Sequence, residues 1–85
     1  MTTLKPAAVT RFLSKNGVIT MPNRNREGIR VRQDGAGVGV IVVVDIDASS
    51  EALRVRDAVM ALLATRFEVK GLDDAEMPSI SVKNQ

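Results

Sequence analysis

The chain has 85 residues, 45% of them hydrophobic and 26% charged, and contains no cysteine, histidine, tryptophan or tyrosine. That is the length of one small domain, and without cysteine it folds without disulfides or thiolate metal sites. The missing histidine removes the usual zinc sites and every imidazole-based acid–base mechanism.

No uninterrupted apolar run, Val40 to Val44 included, approaches the roughly 20 residues that span a bilayer. The first residues lack the charged start and apolar core of a secretory signal, so no membrane association and a cytoplasmic placement are the expectation. Net charge is +2, but the sum hides a split. Residues 1–33 carry Lys5, Arg11, Lys15, Arg24, Arg26, Arg30 and Arg32 against Glu27 alone, while residues 34–85 carry five basic and nine acidic side chains. A basic face and an acidic face are expected from that asymmetry.

Leu4 to Asn16 predicts a short helix: Pro6 suits only a first turn, Val9, Phe12 and Leu13 recur at helical spacing, and Asn16-Gly17 is a stop signal. Val18 is placed to pack back on Leu13 in a Schellman cap. Val18 to Met21 predicts a short strand, and Pro22 to Gly28 an exposed basic loop. Ile29 to Gln33 alternates, with Ile29 and Val31 inward and Arg30 and Arg32 outward. Asp34-Gly35 and Gly37 supply a hairpin turn. Val38 to Ile46 is then the strongest strand, with Val38, Val40, Val42, Val44 and Ile46 on one face.

Asp47 to Glu51 predicts a helix start, with Asp47 or Ser49 as N-cap. The helix that follows turns Ala52, Leu53, Val55, Val59, Met60, Leu62 and Leu63 toward the core. Phe67 to Lys70 predicts another strand, Gly71 to Pro78 an acidic loop, and Ser79 to Lys83 a last strand with Ile80 and Val82 inward. The expected fold is α+β, a single domain over 1–85: a two-layer sandwich in the order α-β-β-β-α-β-β, with helices on one face of a largely antiparallel sheet. So small a core points to a homodimer, and the C-terminal strand is the expected exposed edge.

Several segments invite a chemical reading. The strand ending in Asp45-Ile-Asp47 and followed by Ser49 resembles the first motif of haloacid-dehalogenase phosphotransferases, which would imply an aspartyl nucleophile and Mg²⁺. Those enzymes require a far larger doubly wound core, and a strand end at Asp45 with a cap at Asp47 accounts for both residues. Gly35-Ala-Gly37-Val-Gly39 resembles a nucleotide-binding glycine loop, but it leads into a strand where a phosphate cradle leads into a helix. Asp73, Asp74 and Glu76 match no calcium-loop spacing. No catalytic residue, metal ligand or cofactor is therefore assigned, and the chain is read as a non-enzyme.

Arg24, Arg26, Arg30 and Arg32 form the candidate partner-binding cluster, suited to an acidic protein surface or to duplex phosphates. The α-β-β-β-α order of residues 4–66 is similar to double-stranded-RNA-binding domains. Their second helix starts basic, whereas Asp47-Ala-Ser-Ser-Glu51 would repel phosphate. Both aromatics, Phe12 and Phe67, fall on core faces, leaving no platform for stacking bases. Arg56 alone breaks the apolar arc of its helix. It is expected either to snorkel or to form an interface ion pair, with Asp45 as the candidate carboxylate.

Across residues 4–70, the short first helix, the strand Gly28-Ile-Arg-Val-Arg-Gln-Asp-Gly35, the valine-rich strand and the Ala- and Arg-containing helix closing on Phe67-Glu-Val resemble small accessory proteins of actinobacterial phages. The resemblance implies a non-enzymatic module that binds a host or phage protein in the host cytoplasm. A protein partner is favoured over nucleic acid, with duplex binding through the four arginines as the alternative.

Overall fold

A computed structural model describes residues 3–21, 27–47, 49–72 and 77–85. The chain runs α1 (Pro6–Lys15), β1 (Gly28–Gln33), β2 (Val40–Asp45), α2 (Ser49–Leu63), β3 (Glu68–Leu72) and β4 (Ser79–Lys83). The four strands form one antiparallel sheet in the order β1-β2-β4-β3, and both helices pack against it, so the fold is α+β.

The alternation of each strand decides which face the helices cover. Val40, Val42 and Val44 of β2 and Ile80 and Val82 of β4 are all fully buried, together with Val9 and Leu13 of α1 and Ala52 and Leu63 of α2. Phe12 meets Phe67 edge to face, with ring centroids 5.4 Å apart, which ties α1 to the start of β3. At the end of α1, the N–H of Val18 donates to the carbonyl of Leu13 and that of Gly17 to Ser14, with Gly17 at φ +82°. This is the Schellman closure expected from Asn16-Gly17.

The β1–β2 turn is held by side chains. The Asp34 carboxylate accepts from the N–H groups of Val38 and Gly39, at 3.2 and 3.0 Å. Gln33 Nε2 donates to the carbonyls of Leu4 and Gly39, and the Leu4 N–H donates to the Val38 carbonyl. The same turn thus fastens the buried Leu4 and the chain entering α1.

Five details differ from the sequence reading. Strand β2 runs only from Val40 to Asp45, and Val38, in the turn before it, is 41% exposed where the alternation placed it inward. Residues 18–21 form no strand; Thr20 makes a single parallel bridge to Ile29, and the Met21 N–H donates to the Ile29 carbonyl. The segment is too short, and Ile19 too exposed at 77%, to extend the ladder. The C-terminal strand is not an edge: β4 lies between β2 and β3, because Ile80 and Val82 reach full burial only inside the sheet. Strand β3 continues through Gly71 and Leu72, which leaves β3 and β1 as the two edges. Leu53 is 44% exposed, because the buried arc of α2 centres on Ala52, Val59 and Leu63 and Leu53 lies about 100° round from Ala52.

A Cβ at Gly39 would sit 2.6 Å from the Val82 carbonyl oxygen, whereas one at Gly71 would meet only side-chain atoms, none closer than 3.6 Å. Gly39→Ala is expected to destabilise the domain by about 2 kcal/mol or more. Gly71→Ala is expected to stay within about 0.5 kcal/mol of wild type. Urea-unfolding midpoints of the two variants check the contrast.

Candidate functional site

The face opposite the helices carries no covering element among the described residues. Strand register arranges its side chains in rows across the sheet. One row is Arg32, Ile41, Ser81 and Lys70; the next is Arg30, Val43, Ser79 and Leu72. Each row therefore has small or β-branched side chains on the two central strands and a long side chain at each edge. At about 4.8 Å per strand, the Arg32 and Lys70 backbones stand roughly 14 Å apart, on either side of a shallow trough whose floor is the largely buried Ile41, 9% exposed, and the half-buried Ser81.

Arg30 and Arg32 share this face, as their alternation requires. Arg30 is not a free cation, however: its Nη1 lies 2.8 Å from Asp45 Oδ2, with both side chains three-quarters or more buried. The contact is a pairing of charges without an aligned hydrogen bond, since the buried Nη1 makes none among the described residues. The pair is a diagonal one across β1 and β2, since Arg30 lies opposite Val43 and Gly28 opposite Asp45. Arg32 is exposed and, among the described residues, donates a 3.3 Å bond to the carbonyl of its neighbour Gln33. Together Arg30 and Arg32 line an open cleft of about 480 Å³ beside the β1 edge, with Thr20 and Met21 opposite. Arg24 and Arg26 lie outside the described residues, as do Asp73, Asp74 and Glu76.

The structure does not bring Arg56 and Asp45 together. Asp45 projects from the open face, while Arg56 sits on α2 over the other face. The Arg56 guanidinium rests above Gly71, where even a Cβ would stand 3.6 Å from it, and pairs with Asp57 at 3.2 Å. Its side chain is 13% exposed and its guanidinium meets the 63% exposed Asp57, so the stem is packed while the charged head is held at the surface. The basic and acidic halves of the sequence also fail to separate in space on the open face: Arg30 and Arg32 from the first half share it with Asp45, Glu68, Lys70 and Lys83 from the second.

Lys70, Lys83 and Ser81 were not singled out by sequence reasoning, yet they complete the trough. The signal was present in the alternation of Ser79 to Lys83, whose outward positions are Ser79, Ser81 and Lys83, but it acquires meaning only once β4 is placed beside β2. Among the described residues no cluster of acidic side chains could hold a metal ion, and no helix is long and apolar enough to cross a membrane. Comparison with known protein families, curated proteins and solved structures finds no match.

The Arg30–Asp45 pair generates a stability prediction. Asp45→Asn leaves a largely buried guanidinium uncompensated and is expected to cost about 1–3 kcal/mol. Replacing both residues by leucine together is expected to cost less than the sum of the single changes, because neither charge is then stranded. A double-mutant cycle by chemical denaturation reads the coupling directly.

Proposed function

We propose that this chain is a non-enzymatic protein-binding module that takes an acidic segment of a partner protein across its open sheet face. The observation that supports this reading is the trough itself: an apolar and serine floor of Ile41, Val43 and Ser81, flanked by Arg32 on one edge strand and Lys70 on the other. The half-buried Val43 and Ser81 supply the contact on the floor, and the two cations select a partner with carboxylates on both sides of its apolar stripe.

Duplex nucleic acid, the other use of the arginines, is less well supported. Asp45 already neutralises Arg30, and Glu68 adds a second negative charge to the face. Phosphate binding needs several uncompensated cations in line, whereas Arg32, Lys70 and Lys83 are spread over three strands of the face with Glu68 among them.

Selection of binders from a peptide library of unconstrained charge is the test. Enriched peptides are expected to carry acidic residues on either side of apolar ones and to shift the amide resonances of Ile41, Val43 and Ser81. Arg32→Glu with Lys70→Glu is expected to weaken them about tenfold or more. Peptides that show no acidic preference, or that bind the doubly substituted protein equally well, contradict the reading. Duplex binding that falls steeply with salt, in the absence of peptide binding, replaces it with the nucleic-acid one.

A further inference from the structure

The outer edge of β3 carries a pattern of charge and of backbone hydrogen-bonding groups that matches itself. The N–H of Val44 donates to the carbonyl of Pro78 at 2.9 Å, which sets the phase of the β2–β4 ladder. Backbone groups of Ile80 and Val82 then point to β2, and those of Ser79, Ser81 and Lys83 point the other way, to Leu72, Lys70 and Glu68. The alternation leaves the N–H and C=O groups of Val69 and Gly71 directed outward, away from the sheet. No described strand lies beyond them, because β3 ends the order β1-β2-β4-β3.

We propose that β3 pairs antiparallel with β3 of a second copy of this chain, in the register that sets Val69 opposite Val69, giving a two-fold dimer with one continuous eight-stranded sheet. The proposal does not depend on the acidic-partner reading. In this register the two Val69 residues exchange both of their outward N–H···O=C bonds. The Gly71 N–H of each copy reaches the Phe67 carbonyl of the other, while the Phe67 N–H stays with the Leu63 carbonyl, where it already donates at 2.8 Å.

Charge selects the same register. Glu68 and Lys70 flank Val69, are both exposed, and project on the open face. Centring the pair on Val69 sets Glu68 of each copy directly opposite Lys70 of the other, in the non-hydrogen-bonded positions where side chains approach most closely. Centring one residue earlier opposes Glu68 to Glu68, and centring one residue later opposes Lys70 to Lys70, like charges face to face. Of the registers near the middle of the strand, only the Val69-centred one satisfies the backbone and the charges together. It also sets the troughs of the two copies side by side on one face, since the two-fold axis stands perpendicular to the sheet.

Sedimentation equilibrium on the full chain and on charge variants tests this. The wild type is expected to dimerise at sub-millimolar concentration. Glu68→Lys alone and Lys70→Glu alone are each expected to weaken the dimer about tenfold or more, since each turns both attractive pairs into repulsive ones. An equimolar mixture of the two single variants is expected to recover a heterodimer, because the first carries a lysine at both positions and the second a glutamate at both, so every cross-strand pair joins opposite charges. The double swap, Glu68→Lys with Lys70→Glu, keeps both attractive pairs and is expected to dimerise like wild type, which separates lost pairing from lost folding. A wild type that stays monomeric across this range overturns the proposal. So does a dimer indifferent to the single substitutions, or a mixture that does not associate.

Discussion

Strand β4 has to sit inside the sheet, and the rest of the molecule follows from that. Ile80 and Val82 are fully buried, and only a position between β2 and β3 gives them the valines of β2 on one side, Val69 on the other and α2 above. Full burial of a side chain this size is worth roughly 1.5–3 kcal/mol against leaving it in water, a large share of the stability of an 85-residue domain. With β4 in the centre, α2 must carry the chain from β2 over it to β3. The strand reading Glu68-Val-Lys-Gly-Leu72 becomes an edge, and Ser79 and Ser81 become the low middle of the opposite face.

The same placement divides a small amount of sequence between the core and the open face. Every strand residue either faces the helices or faces outward. The inward set is nearly all Val and Ile, leaving the outward set free to carry Arg30, Arg32, Lys70 and Lys83 around a serine and β-branched floor. One outward carboxylate, Asp45, fixes Arg30 and so lowers the charge available on the β1 side. What remains at the edges is Arg32 on β1 and Lys70 on β3, and Lys70 belongs both to the trough and to the self-matching edge.

Much of this fold is legible in the sequence because period and turn chemistry are local. The Schellman closure at Gly17, the outward Arg30 and Arg32, the inward Val40, Val42 and Val44, and the inward Ile80 and Val82 all follow from residues within a few positions of one another. Strand order is different in kind, because β4 pairs with residues some forty positions earlier and nothing in its own alternation names its neighbours. Gly71 read as the start of a loop because glycine is a poor strand former. The structure keeps it in the strand, under the guanidinium of Arg56, whose position inside an apolar helix face otherwise had no explanation. Leu53 counted as core on a helical wheel that has no knowledge of how wide the sheet beneath it is.

The candidate site was legible in part for the same reason. The two β1 arginines announce an exposed strand face, but the partner of Arg30 is two positions along a neighbouring strand, visible only through the register. Pairing Asp45 with Arg56 assumed that a strand-end carboxylate and an intrusive arginine lie on one side of the sheet, and they lie on opposite sides. Hydrogen exchange of the backbone amides in the native chain is the most direct test of the central placement of β4. The amides of Ile80, Ser81 and Val82 should exchange as slowly as those of Val42 and Val44, at the rate of global unfolding, since both edges of β4 are bonded. Fast exchange on alternate residues of β4, the pattern of a strand with one edge in water, would contradict the strand order and the trough built on it.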